Sequence, residues 1–90
     1  QALIAQNKIF YVVLREYSNA DDAWKDYDAV KSKRLRTERY SPSRLNVLKL
    51  NDNNFILVYG AYNTNAEATQ VYKLLRINDP EYNVRLLEVR

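Results

Sequence analysis

The chain has 90 residues, of which 47% are apolar and 28% are charged, and its formal net charge is +3. This is the composition of one small globular domain rather than of a disordered segment. The chain has no Cys, no His and a single Gly. These absences exclude disulfides, thiolate or imidazole catalysis, the common Cys and His metal ligands, and Gly-rich phosphate loops. We therefore expect no enzyme activity and no cofactor.

The start of the sequence carries information about its origin. The chain lacks Met and begins with Gln1, so we interpret it as a piece of a longer protein. Residues 1–8 form a leading segment, and residues 9–90 form one domain. We expect no membrane span within this piece, because no apolar run approaches the roughly 18 residues that a membrane helix needs.

An internal repeat organises the domain. A shift of 45 residues aligns residues 10–30 with residues 55–75 without a gap, and it places Phe10 on Phe55, Tyr17 on Tyr62 and Tyr27 on Tyr72. Both copies begin with a run of aromatic and aliphatic residues, FYVVLREY and FILVYGAY, that predicts a strand.

A helix is predicted after each of these strands. Ser18 is placed to cap the first helix, and Asn63 and Thr64 are placed to cap the second. Apolar residues then recur at three- and four-residue steps, which predicts one buried face on each helix. These residues are Ala20, Ala23, Trp24, Tyr27 and Val30 in the first copy, and Ala68, Val71, Tyr72 and Leu75 in the second.

Two further strands complete the pattern. Residues 45–50 precede an Asn-rich turn at 51–54, which predicts a hairpin into the strand at 55–62. Residues 82–89 follow Pro80, which cannot continue a helix. The order β-α-β-β-α-β predicts an α+β, ferredoxin-like split sandwich, in which two helices cover one face of a four-stranded antiparallel sheet and the two repeated strands are central.

The alternation of side chains along the strands predicts an apolar surface on the face that the helices leave open. Phe10, Val12 and Leu14 are expected to face the helices. A solvated antiparallel face alternates apolar and polar residues, so an exposed apolar patch predicts either a binding surface or a site covered by another part of the parent chain. The residues predicted to form this surface are Tyr11, Val13, Arg15, Ile56, Val58 and Leu87.

A second candidate site is the connection at residues 31–44, which carries six basic residues and one acid, a net charge of +5. A local basic patch suits a phosphate, a carboxylate-bearing polymer or an acidic protein. Cations at the end of a helix also interact favourably with its dipole, so a solvated helix end and loop is the alternative. The predicted patch consists of Lys33, Arg34, Arg36, Arg39 and Arg44.

The half-repeats YVVLREYSNADDA and FILVYGAYNTNAEA, together with the element order, resemble the SPOR domain, the sporulation-related repeat of bacterial cell-envelope proteins. The resemblance covers about residues 9–89. It implies a periplasmic or envelope location and binding of peptidoglycan glycan strands through the exposed sheet face. A narrower pattern (KDY at 25–27, LNV at 45–47 and YKLL at 72–75) is similar to the SPOR-like tails of tetratricopeptide-repeat envelope lipoproteins of Bacteroidetes associated with type IX secretion and gliding.

Two positions depart from that family pattern. Val13 stands where the family often has Gln, and Arg15 stands where it often has Gly. An aliphatic stripe of Val13, Ile56 and Val58 offers a sugar neither hydrogen-bond partners nor an aromatic platform, so it suits a protein partner better.

Three functions remain open. The first is a non-catalytic envelope module that docks on peptidoglycan or on a neighbouring envelope protein. The second is a structural interaction domain of a large secretion-type assembly, without glycan binding. The third is an RNA-binding module with the same strand order, which is disfavoured because Tyr11 is the only clear outward aromatic residue on the central strands.

Overall fold

The computed structural model describes residues 8–33 and 42–89. Their elements are β1 (Ile9–Tyr17), α1 (Ala20–Lys33), a 3-10 turn (Pro42–Arg44), β2 (Leu45–Asn51), β3 (Asn54–Tyr62), α2 (Asn65–Asn78) and β4 (Arg85–Val89). The four strands form one antiparallel sheet in the order β2-β3-β1-β4. The predicted α+β, ferredoxin-like fold is confirmed, with the two repeated strands at its centre. The prediction of the last strand was too long, because residues 82–84 precede β4.

The internal repeat is preserved in the element boundaries. Each end of β3 lies 45 residues after the matching end of β1, and the start of α2 lies 45 residues after the start of α1. The two β-α units are thus equivalent in the described positions of their elements as well as in sequence. The predicted hairpin is also present, since β2 and β3 are joined by a two-residue turn in which the Asn51 side chain accepts a hydrogen bond from the Asn53 N–H at 3.0 Å.

The helix caps repeat in the same way. The Asn19 side chain accepts a hydrogen bond from the Asp22 N–H at 2.9 Å, and the Thr64 hydroxyl accepts one from the Glu67 N–H at 3.2 Å. Each cap side chain also donates a hydrogen bond to the carboxylate of the same acidic residue, so the two helices are capped in the same way at their N-termini. The predicted cap at Thr64 is confirmed. The predicted cap at Ser18 is wrong by one residue, because Asn19 occupies the equivalent position.

The main core lies between the helices and the sheet. Phe10, Val12 and Leu14 of β1 belong to it, as predicted. Its other buried members are Val30, Leu45, Leu57, Tyr59, Tyr62, Ala68, Leu75, Tyr82 and Val84. Both helices, strands β1, β2 and β3, and the loop just before β4 therefore contribute buried residues to one cluster on one side of the sheet. Leu86 of β4 packs against this cluster.

Trp24 lies outside this core, contrary to the sequence prediction. Its side chain is 47% exposed, and its ring meets the edge of the Tyr27 ring at a centroid distance of 5.1 Å. Ala23 and Val30 are buried and define the centre of the inward face of α1. Trp24 is rotated by about 100° from Ala23 around the helix axis, which places it at the margin of the inward face.

The only glycine of the sequence occupies a bend in β3. Tyr11 lies opposite Gly60, whereas Phe10 lies opposite Tyr62, so Ala61 is an extra residue in this strand. Gly60 has a φ of 155°, and a Cβ atom there would lie 3.2 Å from the Tyr62 ring and 3.4 Å from the Phe10 carbonyl oxygen. The backbone conformation therefore favours glycine, and a Cβ atom would in addition require the Tyr62 ring to shift by a few tenths of an ångström.

Candidate functional site

The face of the sheet opposite the helices, which we call the open face, carries a second apolar cluster. All of its members belong to strands, and the cluster is separate from the main core on the helix side. This outer cluster consists of buried Val13, Ile56 and Val58, with half-buried Tyr11, Leu48 and Leu87 packed against them.

The strand register explains why these residues meet. Val13 of β1 lies opposite Val58 of β3, and Tyr11 of β1 lies opposite Leu87 of β4. On the other side, Leu48 of β2 lies opposite Ile56. Opposed side chains of antiparallel strands are close enough to pack. The structure thus brings together five of the six residues predicted for this surface.

The centre of the outer cluster is less accessible than the sequence predicted. Val13 is 2% exposed, and Ile56 and Val58 are fully buried. These three residues lie on the two central strands, and Tyr11, Leu48 and Leu87 pack against them. The prediction that they form an exposed stripe is therefore wrong.

The accessible apolar groups of the open face lie around that buried centre. Tyr11, Leu48 and Leu87 are half-buried. Ile9 and Val89 lie opposite each other in the β1–β4 pair, and each is 38% exposed. The predicted site did not include Leu48, Ile9 or Val89. The alternation of side chains in β2 and β4, and the position of Ile9 next to the repeat, would have placed them on the same face.

Arg15 faces the helices, contrary to its predicted position on the open face. The register between β1 and β3 shifts after Val13, so Arg15 lies opposite the core residue Leu57. Its Nη1 atom is 2.9 Å from the Asp26 carboxylate on α1. Its guanidinium carbon lies 4.8 Å from the centre of the Tyr82 ring. The prediction failed because it assumed uninterrupted alternation, whereas a bulge puts two consecutive side chains on one side.

A polar network surrounds Arg15 on the helix side. The Tyr17 hydroxyl donates a hydrogen bond to the same Asp26 carboxylate oxygen that Arg15 contacts. Burial raises the pKa of Tyr17, and the hydrogen bond to Asp26 raises it further. Burial also raises the pKa of Tyr82, although the nearby Arg15 guanidinium acts in the opposite direction. The network therefore ties the end of β1 to α1 and favours neutral phenols.

An ion pair borders the outer cluster at one end of the open face. The Nε and Nη2 atoms of Arg85 lie 3.1 and 2.8 Å from the same Glu16 oxygen, Oε2. Arg85 lies opposite Val13, and Glu16 lies opposite Ile56, which places both charged side chains on the open face. Both side chains are about half exposed, at 44% and 51%, so the pair adds little to stability. Its main consequence is a polar border beside an apolar surface.

A depression of about 350 Å³ opens beside this ion pair. Its walls are formed by Val13, Leu14, Arg15 and Glu16 of β1, by Arg85 of β4, and by Glu81 and Asn83 in the loop before β4. It therefore lies at the end of β1 beside the outer cluster, and its walls are mainly charged and amide groups.

The predicted basic patch falls almost entirely outside the described residues. This applies to the side chain of Lys33 and to Arg34, Arg36 and Arg39. Arg44 is described: its guanidinium carbon lies 4.9 Å from the centre of the Tyr62 ring, and its Nη1 donates a hydrogen bond to the Ala61 carbonyl oxygen at 3.3 Å. Burial raises the pKa of Tyr62 to about 12, while Arg44 acts to lower it. Arg44 thus holds the start of β2 against the end of β3.

A scan against protein-family models, a search of curated proteins and a search of solved structures each found no match to this chain. Within residues 8–33 and 42–89, no group of three or more His, Cys, Asp or Glu residues is arranged to hold a metal ion. In the same part of the chain, no helix has both the length and the apolar character to cross a membrane. The open face is therefore the candidate site in this part of the chain, because it carries an apolar cluster that neither helix covers.

Proposed function

We propose that this chain is a non-catalytic binding module of the bacterial cell envelope that docks on a neighbouring envelope protein, or on peptidoglycan glycan strands, through the open face. The observation that carries the proposal is the outer cluster, which provides apolar side chains on a sheet face where neither helix packs. An antiparallel sheet with one solvated face normally alternates apolar and polar residues along its strands. Apolar groups on both faces therefore favour a surface that meets a partner.

The composition of the open face favours a protein partner over a glycan. The half-buried groups around its centre are Tyr11, Leu48 and Leu87, and only Tyr11 has a ring on which a sugar could stack. Exposed Ile9 and Val89 extend the apolar character of the face to its end. Aliphatic side chains provide no hydrogen bonds to sugar hydroxyls, whereas they pack well against apolar side chains of a protein.

Co-sedimentation with peptidoglycan sacculi tests the glycan arm. The purified chain would be mixed with intact sacculi and with amidase-treated sacculi, at low and at high salt. Binding that increases after amidase treatment and persists at high salt supports glycan recognition. Binding only at low salt indicates non-specific attraction to the basic residues. No binding rejects the glycan arm and leaves the protein partner.

Photo-crosslinking tests the protein arm. A photoreactive residue at Leu87, introduced into the protein as its own host expresses it, is expected to give one discrete adduct with an envelope protein. The control carries the same residue at Ile77 on α2, which is 75% exposed and lies away from the open face. Equal adducts at both positions, or none at Leu87, contradict docking through the open face.

A matched pair of variants tests whether binding of sacculi, or of a protein partner, takes place at the open face. Ile9→Asp combined with Val89→Asp introduces two charges at exposed positions of the open face. Leu74→Asp combined with Ile77→Asp introduces two charges at exposed apolar positions of α2, which are 42% and 75% exposed. We expect binding to fall at least tenfold in the first variant and to change little in the second. Equal losses would contradict the assignment of the open face.

A further inference from the structure

We propose that the depression beside Glu16 is a subsite of the open face that takes a cationic side chain, Lys or Arg, from a protein partner. The inference rests on the proposed function, because it assumes that the open face docks on a protein. The inference specifies one chemical feature of that partner, a positively charged side chain at the docking surface. The partner segment would place a cation next to apolar side chains that contact the outer cluster.

The bulge in β1 lies at this depression, and the bulge residues Leu14 and Arg15 contribute to its walls. Leu14 is the extra residue at the register shift, and Arg15 turns to the helix side. Val13 and Glu16 thereby become successive side chains on the open face, although two residues separate them in sequence. The row of side chains along β1 is interrupted at this point, and the depression of about 350 Å³ lies there.

The arrangement of charges favours a cation as the ligand. Both Arg85 donors use the Oε2 atom of Glu16, and no described residue donates a hydrogen bond to its Oε1 atom. The Glu16 side chain is 51% exposed, so Oε1 is available to a donor from outside. Arg15, the other cation on the wall, is bound by Asp26 on the helix side. An incoming carboxylate would instead have to compete with Glu16 for Arg85.

The surroundings also suit the aliphatic part of a Lys or Arg side chain. Val13 lies at the depression but is 2% exposed, so the accessible apolar surface beside it is that of half-buried Leu87 in the outer cluster. Long cationic side chains place their methylene groups along apolar surface while the charged end remains in water. The Asn83 side chain lies at the same depression and provides a further acceptor.

Three matched peptides test this inference: acetyl-Leu-Arg-Leu-amide, acetyl-Leu-Gln-Leu-amide and acetyl-Leu-Glu-Leu-amide. Binding to the 90-residue chain would be measured from amide chemical shifts at low salt. We expect the Arg peptide to bind about threefold more tightly than the Gln peptide, the scale of an exposed ion pair, and the Glu peptide to bind most weakly. The Arg peptide should shift the amides of Val13, Glu16 and Asn83.

The Glu16→Gln variant provides the control, since it removes the charge and keeps the size of the side chain. We expect the preference for the Arg peptide to disappear in this variant. An unchanged preference, or tighter binding of the Glu peptide to the unmodified chain, overturns the subsite. Equal shifts of Tyr11 and Leu87 with all three peptides overturn the subsite but leave the open face as a docking surface. No shifts with any peptide overturn both.

Discussion

Leu14 and Arg15 are consecutive residues of β1, yet both side chains lie on the helix side of the sheet. Leu14 is buried in the main core, and Arg15 contacts Asp26 on α1 and the ring of Tyr82. A regular strand would place these two side chains on opposite faces. The bulge therefore directs the Arg15 guanidinium towards Asp26 on α1. It also interrupts the row of β1 side chains on the open face between Val13 and Glu16.

The position of Arg15 leads to a prediction about stability. Arg15→Ala removes an ion pair and a contact with an aromatic ring, both partly exposed, so we expect the free energy of unfolding to fall by about 1 kcal/mol. Urea denaturation would measure this change. Binding at the outer cluster should remain unaltered, because the Arg15 side chain faces the helices and lies outside that cluster. A large loss of binding with normal stability would contradict this orientation.

Leu57 tests the packing of the main core. It is fully buried on central strand β3, and we expect Leu57→Ala to lower the free energy of unfolding by about 2–5 kcal/mol. Leu74→Ala is the matched control, because Leu74 is 42% exposed on α2. We expect that change to cost about 0.5 kcal/mol or less. Similar losses in the two variants, measured by urea denaturation, would be inconsistent with the described core.

Gly60 tests the bend in β3. Gly60→Ala places a Cβ atom 3.2 Å from the Tyr62 ring at a φ of 155°, and we expect it to cost about 1–3 kcal/mol. Thermal unfolding would show a lower Tm. The control Ala61→Gly changes the next residue, which is exposed, and we expect a smaller loss. A Tm for Gly60→Ala equal to that of the unmodified chain would mean that the bend tolerates a side chain.

The tyrosines predict how stability depends on pH. Burial raises the pKa of Tyr17, and it raises the pKa of Tyr62 to about 12. The folded state therefore favours the neutral phenols. Their contribution is complete below the unfolded pKa of about 10, and it is lost as the pH rises through the folded values. We expect the free energy of unfolding to fall above about pH 10.

Titration of the tyrosine absorbance tests this directly. Part of the absorbance change should occur only well above pH 10, the ordinary range for tyrosine. Tyr62→Phe should remove some of this late change and reduce the loss of stability between neutral and alkaline pH. A single transition near the ordinary pKa, with stability independent of pH up to about 11, would contradict the burial of these hydroxyl groups.

Most of the fold followed from local patterns in the sequence. The 45-residue repeat, the cap at Thr64 and the Asn-rich turn each reflect interactions among neighbouring residues, and the structure contains all three. Arg15 was misplaced because a bulge depends on how β1 pairs with β3, which no single strand reveals. Trp24 was misplaced because a residue at the margin of a helix stripe is buried only when a neighbouring element covers it.

The candidate site was only partly predictable for a related reason. The alternation of side chains identified the strands' open face, and Tyr11 and Leu87 lie there together. It did not reveal that Ile56 and Val58 are fully buried, because accessibility depends on the side chains of adjacent strands. The ion pair between Glu16 and Arg85 was also missed, since the two residues are far apart in sequence and meet only through the β1–β4 pairing.

The constant offset between the two β-α units is the arrangement that duplication of one ancestral unit would produce, with an approximate twofold axis between β1 and β3. The symmetry extends to side chains: Tyr27 lies beside Lys31 at 5.7 Å, and its counterpart Tyr72 lies beside Arg76 at 5.6 Å. The two β-α units differ at Arg15 and its repeat counterpart Gly60, and these two residues have different structural roles. Arg15 reaches α1, whereas the equivalent Gly60 permits a close approach of β3 to the Phe10 backbone.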